Sequence, residues 1–480
     1  MNILATGVTG YIGGRLVPRL IDRGYNVRCM ARDVNRIKGR WENSELVYGD
    51  VTKFDSIDTA LKNIDIAYYL IHSMSAGEKD FVDIDLKAAE NFSYKAKENG
   101  VKRIIYLGGL GNKSDNLSPH LLSRQMTGEM LRKSGLPVTE FRAGMIVGSG
   151  SLSFEMMRYL AERVPVMICP KWVKTKTQPV AVRDILRYLI ESIENEESAG
   201  KTLEIGSDDI LSYRELIMKY ADIRGLKRFM INVPVLTPRL SSYWVDLVTP
   251  IPNYIARPLI EGLKNEIIVK DNTARNIFNF QPISYEDAVR FALDRHKSGK
   301  IETIWSNAVS STNPANYEPV NLKQIEGMII EKRETEVNAS AENVFSVILK
   351  LGGNNGWYAN FLWQARGLLD RLFGGVGMRR GRRSPDTLII GEPLDFWRVE
   401  ELLPDELLRL RAEMKLPGKA WLQFSVKKIG ENKSLLNQTA FYEPKGLAGV
   451  LYWYSIYFLH KIIFGGMIND IKRKAEKRTK

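Results

Sequence analysis

T-G-V-T-G-Y-I-G, at residues 6–13, directly follows the short apolar run of residues 3–5. This pattern is typical of a strand that breaks into a glycine-rich turn. Gly7 permits the tight turn, Gly10 lets a pyrophosphate approach the backbone because it has no Cβ, and Gly13 lets the next helix pack closely on the strand. The N–H groups and dipole at the start of that helix attract phosphate. The stretch predicts a dinucleotide-binding turn, with an unliganded glycine turn as the alternative.

The residues after the turn complete a βαβ unit. Residues 15–23 carry a helical apolar stripe that ends at Gly24, and residues 25–31 have the pattern of a second strand. Because a crossover of this length joins neighbouring parallel strands, the context favours the dinucleotide over an unliganded turn.

The end of the second strand indicates which dinucleotide binds. An acidic residue there would accept hydrogen bonds from the ribose hydroxyls of NAD. Here Arg32 comes first, and Arg36 and Lys38 follow it. Since positive charge suits a 2′-phosphate, NADP is expected. NAD stays possible because Asp33 could still bind the ribose.

The composition sets limits on the class of protein. A chain of 480 residues, 44% hydrophobic and 26% charged, predicts two or three globular domains. The net charge of +13 suits an acidic partner, which is a nucleotide cofactor, an anionic membrane surface or nucleic acid. Nucleic acid is not expected, because no basic-aromatic motif accompanies the charge.

The two cysteines bear on compartment and metal binding. Cys29 and Cys169 are far apart and lie in apolar surroundings, so we expect neither a disulfide framework nor a metal site. A reducing compartment fits this usage. The first residues already read as a strand rather than a signal peptide, so we expect a cytoplasmic location.

Strand and helix patterns alternate through residues 1–300. Alternation of this kind predicts an α/β fold with a Rossmann-type doubly wound parallel sheet, which binds ligands outside the carboxyl ends of its strands. After the first βαβ unit, the predicted strands are 46–48, 64–72 and 103–107, and the predicted helices are 54–61 and 81–99.

These residues resemble the short-chain dehydrogenase/reductase family in its extended and atypical forms, which include NmrA-like proteins. The family's acidic-apolar pair that contacts adenine falls on Asp50 and Val51, and its loop beside the cofactor falls on residues 70–72. Together with Arg32 from the strand end, the expected cofactor-binding residues are Gly7, Thr9, Gly10, Tyr11, Ile12, Gly13, Arg32, Asp50, Val51, Leu70, Ile71 and His72.

The catalytic positions depart from the family pattern. In the family a Ser or Thr polarises the substrate carbonyl, a Tyr donates the proton, and a Lys four residues later lies on the same helix face. Here Gly109 occupies the strand-end position, and His120 and Arg124 stand where Tyr and Lys would be. His120 can act as a general acid near neutral pH, with Arg124 as a fixed cation on cofactor or substrate. Alternatively, His120 caps its helix and Arg124 is solvated. Ser123 and Asp85 are further polar candidates.

Residues 233–263 form a proline-rich segment with few charges. Such a segment can cover a substrate or pack across the domain surface. If it covers a partner, that partner is expected to be an apolar small molecule.

The second half of the chain predicts another domain. Residues 301–326 are polar and loop-like and predict a linker between a domain at 1–300 and one at 327–480. A strand at 328–337, a helix at 344–351, alternating strands between 408 and 442 and a long helix at 446–477 predict an α+β domain with an antiparallel sheet. The order resembles the START-like helix-grip superfamily, in particular an uncharacterised domain often fused to such reductases.

Three features of this domain leave alternatives open. Its aromatic residues either line an apolar ligand cavity or form plain core, namely Trp357, Trp363, Phe396, Trp397, Trp421 and Tyr442. The basic loop at 378–383 either binds an anionic headgroup or is a solvated turn. The final helix either packs on the sheet, spans a membrane, or attaches to a membrane surface together with the basic tail.

Two functions fit the sequence. The first is an NADP-dependent oxidoreductase of the atypical type, acting on an apolar small molecule with His120 as proton donor. The second, implied by the NmrA-like resemblance, is a non-catalytic NAD(P)-binding sensor or scaffold with a hydrophobic-ligand-binding C-terminal domain. The missing Ser, Tyr and Lys favour the second, whereas the intact glycine turn and the second domain favour the first.

Overall fold

The structure is a computed structural model that describes residues 1–72, 81–111, 117–233, 242–243, 245–246, 248–249, 251–298, 301–307, 328–379 and 381–478. The chain divides into two compact units, Met1–Val309 and Ser310–Lys480. The first unit contains a parallel sheet and the second an antiparallel sheet.

The first unit alternates strands and helices along the chain. Its described strands are β1 (Asn2–Ala5), β2 (Asn26–Ala31), β3 (Ser44–Tyr48), β4 (Ile66–Tyr69), β5 (Arg103–Gly109), β6 (Val138–Ala143), β7 (Ile146–Val147), β8 (Val166–Cys169), β9 (Lys176–Thr177), β10 (Val180–Ala181), β11 (Thr202–Ile205), β12 (Leu211–Ser212) and β13 (Phe229–Asn232). Its described α-helices are Gly13–Asp22, Asp58–Leu61, Phe81–Glu98, Pro119–Arg132, Leu152–Arg163, Val182–Glu191, Tyr213–Ile223, Asn253–Gly262, Thr273–Ile277 and Tyr285–Lys297.

One seven-stranded sheet organises this unit. Its order is β11-β6-β5-β4-β1-β2-β3, and every neighbouring pair is parallel. The chain runs outwards from β1 to β3 and then returns to the other side of β1, so the direction of winding reverses between β1 and β4. The doubly wound parallel sheet predicted from the sequence is confirmed. A ligand crevice is expected at the carboxyl ends of β1 and β4.

Both faces of the sheet are covered, because alternate residues of a buried strand point to opposite sides. Ile3 and Ala5 belong to the same core cluster as Leu16 of the first helix. Leu4 belongs to the cluster on the other face, together with Phe92. The apolar run before the glycine turn is therefore a central strand buried on both faces.

The segment expected to open the linker belongs to the first unit. Thr303 is 2% exposed and hydrogen-bonds to Arg15 of the first helix. The polar composition of this segment reflects hydrogen bonding to the buried arginine rather than solvation. Residues 301–307 are part of the first compact unit, and residues 308–327 lie outside the described part of the chain, so the predicted boundary at 326 stays a prediction.

The second unit is an antiparallel sheet with a long terminal helix. Its described strands are β14 (Ile329–Val337), β15 (Pro393–Leu394), β16 (Trp397–Leu403), β17 (Leu407–Ala412), β18 (Gly418–Gly430) and β19 (Lys433–Pro444), in the sheet order β14-β19-β18-β17-β16-β15. Its described α-helices are Ala341–Ile348, Asn360–Leu372 and Gly446–Arg478. The long helix packs on β14 and β19. The predicted antiparallel sheet and long C-terminal helix are confirmed.

The aromatic residues of this unit are packed core. Trp357, Trp363, Phe396 and Trp397 contact one another, with ring centroids 5.0 to 6.4 Å apart. Tyr442 stacks on Trp453 at 5.2 Å. In a separate cluster, Trp421 packs with Phe441. Of the two interpretations, plain core is the one that the structure favours.

The basic loop is built into the fold. Arg382 donates hydrogen bonds to the carbonyl oxygens of Leu349 and Leu351, both at 2.8 Å. The Nε of Arg383 donates to Glu392, whose side chain is fully buried. Both arginines are therefore bound to other parts of the fold. They are neither free to bind an anionic headgroup nor simply solvated.

The sequence left open whether the final helix spans a membrane. No helix in the described part of the chain is both long and apolar enough to cross a bilayer. This finding contradicts the interpretation of residues 446–468 as a span, and His460 and Lys461 interrupt the apolar segment there.

Candidate functional site

The glycine turn has room for backbone only. Gly7 adopts φ +63°, and a Cβ there would lie 2.3 Å from the carbonyl oxygen of Leu70. A Cβ on Gly13 would lie 2.4 Å from the Gly7 oxygen. At Gly10 a Cβ would meet only the Gly7 oxygen, at 3.0 Å. Gly7 and Gly13 are thus required by the fold, whereas Gly10 leaves space on the side where a phosphate would lie. The turn fits a dinucleotide.

The buried Arg15 supports the backbone of the glycine turn. Arg15 is 5% exposed, and its Nη2 donates to the carbonyl oxygen of Ser149 at 2.7 Å. Its Nε donates to Thr303 Oγ1 at 2.9 Å, and that hydroxyl donates to the carbonyl oxygen of Tyr11 at 2.8 Å. The guanidinium also lies over the Tyr11 ring, 4.6 Å from its centroid. The backbone of the turn is therefore fixed by a second segment of the same unit.

The residues expected to contact the ribose and adenine lie at the strand ends. Arg32 is exposed directly after β2. Asp33 accepts a hydrogen bond from the N–H of Asn35, and Arg36 donates to the carbonyl oxygen of Asn307 at 2.6 Å. Asp50 accepts from the hydroxyl and N–H of Thr52 at 2.8 and 3.0 Å. Asp33 and Arg36 thus have partners in the fold, and Arg32 is the group best available to a 2′-phosphate.

A pocket of about 620 Å³ runs from the glycine turn into an apolar chamber. Of the expected site residues, its lining contains Gly7, Gly10, Tyr11, Ile12, Gly13, Leu70, His72, His120 and Arg124. Thr9, Arg32, Asp50, Val51 and Ile71 lie outside this lining. The chamber wall includes Met156, Met157, Leu160, Trp172, Ile255, Leu259, Ile260 and Leu263.

The proline-rich segment supplies part of the chamber. Its helix Asn253–Gly262 contributes Ile255, Leu259 and Ile260 to the wall. Residues 234–241, 244, 247 and 250 of the segment lie outside the described residues. The described part therefore packs as a wall of the pocket, and binding of an apolar molecule beneath it stays a prediction.

Two histidines and an aspartate form a hydrogen-bonded row between the turn and the chamber. His72 Nδ1 lies 2.7 Å from Asp85 Oδ2, and His72 Nε2 lies 3.2 Å from His120 Nδ1. Asp85 is 3% exposed, and Ser123 Oγ lies 3.4 Å from the same Oδ2. The sequence singled out these four residues, but not that they meet.

Burial favours the neutral form of both imidazoles. It lowers the pKa of His120 well below its usual range, and the neighbouring His72 and the Arg124 cation lower that pKa further. Burial also lowers the pKa of His72, and the hydrogen bond to Asp85 offsets this only in part. A neutral imidazole has one N–H donor and one lone pair, so each ring can relay a proton.

Arg124 is held by the strand beneath it. Its guanidinium donates to the carbonyl oxygen of Leu107 and lies 5.5 Å from the ring centroid of Tyr106. The Tyr106 hydroxyl donates to the carbonyl oxygen of Arg124 at 2.8 Å. Tyr106 therefore serves the fold, and Arg124 is a fixed cation at the pocket wall rather than a solvated side chain.

Ser118, rather than His120, caps the helix Pro119–Arg132. The Ser118 hydroxyl accepts a hydrogen bond from the N–H of Leu121. The interpretation of His120 as a helix cap is therefore wrong, and its ring is free to face the pocket.

Sequence reasoning missed Arg15, Thr303 and Trp172. Arg15 interrupts the apolar stripe just after the glycine turn, and a charged residue on the buried face of a helix signals a built-in partner. Thr303 carried no local signal, since 288 residues separate it from Arg15. Trp172 lines the chamber with a buried Nε1 that has no hydrogen-bond partner among the described residues.

Comparison with known proteins agrees with this geometry. Residues 7–156 match the family model described as NAD(P)H-binding. Residues 329–467 match the model described as protein of unknown function (DUF2867). Residues 7–156 of the first unit therefore have the sequence pattern of an NAD(P)H-binding domain.

Several curated proteins are similar to the first unit. The photosystem II assembly factor Ycf39 of Cyanophora paradoxa is 23% identical over 240 residues, which cover 49% of this chain and 72% of that protein. The chloroplastic divinyl chlorophyllide a 8-vinyl-reductase of Arabidopsis thaliana is 30% identical over 123 residues, which cover 23% of this chain and only 30% of that protein.

Solved structures show the same fold. The triphenylmethane reductase of Citrobacter sp. is 17% identical with a TM-score of 0.51, and the match covers 61% of this chain and 100% of that one. Its complex with NADP(H) is 16% identical with a TM-score of 0.50 over the same shares of the two chains.

Proposed function

We propose that the first unit is an NADP-dependent oxidoreductase that acts on an apolar small molecule. The observation that carries this proposal is the position of His120, whose ring lines the pocket between the glycine turn and the apolar chamber and is hydrogen-bonded to His72. A group that exchanges a proton is needed at this junction when a hydride is transferred to or from a carbonyl or a polarised double bond.

NADP is preferred over NAD because of the charge at the end of β2. When bound, NADP(H) accepts or supplies a hydride at the nicotinamide. The residues of this chain would hold it by the backbone of the glycine turn, by Arg32 at the 2′-phosphate and by the loop after β4. The Citrobacter reductase, whose structure was solved with NADP(H), supports this preference.

The substrate class follows from the wall of the chamber. Methionine, leucine and isoleucine side chains surround the space, so an apolar body is favoured. The unpaired N–H of Trp172 can donate to one oxygen of such a molecule. Because one relative is named a vinyl reductase, conjugated alkenes belong among the candidates beside ketones and aldehydes.

A non-catalytic role is the second candidate. Gly109 at the end of β5 cannot polarise a carbonyl, and Arg124 is bound to Leu107 rather than placed as a mobile cation. The relatives named assembly factors also favour a role in which NAD(P) binding controls contacts with a partner.

One experiment separates the two candidates. NADPH binding is measured by protein fluorescence, and NADPH oxidation is then followed with a panel of apolar ketones, aldehydes and conjugated alkenes. We expect one compound class to be reduced and His120→Gln to lose that turnover while it binds NADPH as tightly as the parent chain. Binding without oxidation of any compound favours the non-catalytic role, and equal turnover by His120→Gln removes His120 from the reaction.

For the second unit we propose the START-like helix-grip assignment. The order of its antiparallel sheet and the packing of the long helix on β14 and β19 support it. The aromatic residues that would line a ligand cavity in this unit pack on one another instead. Denaturing extraction and mass spectrometry of the purified chain test for a copurifying apolar compound.

A further inference from the structure

We propose that Asp85, His72 and His120 are a proton relay in which Asp85, rather than a charged histidine, is the source of the proton that His120 delivers. This inference rests on the proposed reductase function and names how its proton reaches the pocket. Nothing in the family pattern of Ser, Tyr and Lys requires such a row.

The hydrogen bonds fix the tautomers when Asp85 is ionised. A carboxylate only accepts, so His72 must carry its proton on Nδ1, 2.7 Å from Asp85 Oδ2. The Nε2 of neutral His72 is then a lone pair, and His120 must donate to it from Nδ1 across 3.2 Å. His120 consequently presents a bare Nε2 to the pocket. In this state His120 is a base, not the acid expected from the sequence.

Protonation of Asp85 reverses every donor in the row. The carboxyl group then donates to His72 Nδ1, His72 donates from Nε2, and His120 carries its proton on Nε2 at the pocket. Each ring carries one proton in either state, so neither arrangement contains an imidazolium ion, which agrees with the lowered pKa of both histidines. The charged or titratable groups around the row are Arg124, Tyr69 and Tyr106.

The proton step balances without an imidazolium ion. During reduction the substrate takes the proton of His120 Nε2, and His120 Nδ1 takes the proton of His72 Nε2. His72 Nδ1 in turn takes the carboxyl proton of Asp85, which becomes a carboxylate. One O–H bond breaks in total and one bond from hydrogen to substrate forms, while the accompanying hydride comes from NADPH.

Histidine tautomers can be read directly, because the chain has four histidines. The test uses ¹⁵N-histidine NMR of the full-length protein at neutral pH, without substrate, with each signal assigned by a single His→Gln variant. We expect neutral rings for His72 and His120, both protonated on Nε2, because the relay must hold the Asp85 proton before the reaction. An imidazolium signal for either residue, or Nδ1 protonation of both rings, overturns the relay even if the protein is an active reductase.

Turnover provides the second readout. Asp85→Asn keeps a hydrogen-bond acceptor for His72 but has no proton to give, so we expect turnover to fall roughly a hundredfold. NADPH affinity is expected to stay unchanged. Asp83→Asn, an equivalent change at an exposed position of the same helix, is the matched control. Full turnover by Asp85→Asn overturns the relay but not the reductase function, whereas a parent chain that reduces no compound overturns both.

A different observation in the second unit carries an independent inference. The outward stripe of the helix Asn360–Leu372 is apolar, whereas its inward stripe is buried. Phe361, Leu368, Leu369 and Leu372, followed by Phe373, are 52% to 74% exposed. An exposed apolar stripe of this size marks an interaction surface.

The first half of the C-terminal helix carries a second exposed apolar stripe. Leu451, Tyr454, Tyr457, Phe458 and Ile462 are 46% to 72% exposed. Residues 446–468 contain no Asp or Glu, and their charged side chain is Lys461. Arg366 and Arg371 border the stripe on the other helix.

We infer that these two helix faces, here called the apolar surface, lie on an anionic lipid bilayer. Tyrosine and aliphatic side chains interleaved with Lys and Arg suit the boundary between headgroups and hydrocarbon. The charge beside the exposed side chains has one sign, which favours an anionic leaflet over a mixed-charge protein partner. The bilayer is contacted from one side, since no described helix can cross it.

Vesicle flotation tests this surface. We expect the full chain to float with vesicles of phosphatidylglycerol and phosphatidylcholine, less in high salt, and little with phosphatidylcholine alone. The double variant Phe361→Ser and Leu369→Ser should stay at the bottom. Phe229→Ser, which removes a phenylalanine that is 66% exposed in the first unit, is the control and should float. A chain that forms dimers and does not float overturns the bilayer proposal, as does flotation of the double variant.

Discussion

Arg15 Nε donates a 2.9 Å hydrogen bond to Thr303 Oγ1 across 288 residues of sequence, and that hydroxyl donates in turn to the backbone of the glycine turn. Thr303→Val removes both bonds and leaves a buried guanidinium with one partner fewer. We expect a loss of about 1–3 kcal/mol in the free energy of unfolding and weaker NADPH binding. Urea unfolding and fluorescence titration measure the two effects.

Thr303→Ser is the matched control for this change. It keeps the hydroxyl and removes one methyl group, so its loss should be within about 1 kcal/mol. Equal losses in the two variants would show that packing of the methyl group, and not the hydrogen bonds, holds the turn.

Gly10 and Gly13 should respond differently to alanine. A Cβ at Gly13 would lie 2.4 Å from the backbone oxygen of Gly7, whereas at Gly10 the corresponding distance is 3.0 Å. Gly13→Ala is therefore expected to lower the melting temperature and abolish NADPH binding. Gly10→Ala should lower the melting temperature less than Gly13→Ala does and weaken NADPH binding at least about tenfold, because its methyl group occupies phosphate space. Wild-type NADPH affinity in Gly10→Ala would exclude the turn as the phosphate site.

Arg32 should set the preference for NADPH over NADH. A charge-assisted hydrogen bond to the 2′-phosphate contributes about 1.5–3 kcal/mol, so Arg32→Ala should weaken NADPH roughly tenfold to a hundredfold. NADH affinity should not change. Arg23→Ala removes the same charge from an exposed position at the end of the first helix. It controls for the general effect of one positive charge on the binding of the anionic cofactor. If both variants weaken NADPH equally, Arg32 makes no specific contact.

The sequence predicted the fold better than the contacts between distant residues. Glycine spacing and strand alternation are local signals, and they located β1 and the turn, whereas the family resemblance placed the segment that carries His120 and Arg124. The His72–Asp85 and His72–His120 contacts span 13 and 48 residues and depend on how β4 and two helices are packed. No local pattern encodes such a contact, so the row was visible only as separate polar candidates.

Capping shows the same limit at a smaller scale. The Ser340 hydroxyl accepts a hydrogen bond from the N–H of Asn343, three positions away, and a cap of this kind can be read from the local sequence. Residues 301–307 carry no such local signal, because Thr303 hydrogen-bonds to Arg15, 288 residues earlier in the chain. Composition reports that a segment is polar, but not whether water or a buried side chain satisfies it.

Acid should destabilise the first unit through Glu155. Although burial raises the pKa of Glu155, the hydrogen bond from His296, the charge of Arg158 and the N–H of Gly150 lower it to about 2. Because the folded pKa lies below the unfolded value of about 4.3, this stabilisation is present above pH 4.3 and is lost as the pH falls towards 2. Glu155→Gln should lose about 2–4 kcal/mol at pH 7 and show a flatter acid limb in thermal unfolding. If the loss of stability below pH 4 is the same in Glu155→Gln and in the parent chain, other carboxylates cause the acid sensitivity.

Asp184 should act in the opposite direction. Burial raises its pKa to about 6, although its carboxylate accepts a 2.8 Å hydrogen bond from the N–H of Ile283. Because the folded pKa exceeds the unfolded value of about 3.9, folding favours the protonated form, and this stability is lost as the pH rises from 4 to 6. Asp184→Asn keeps an acceptor without the buried charge, so its free energy of unfolding should exceed that of the parent chain by about 1–2 kcal/mol at pH 8. At pH 4 the variant and the parent chain should unfold at the same temperature. If their stabilities differ by the same amount at pH 4 and pH 8, the buried charge of Asp184 does not cause the difference.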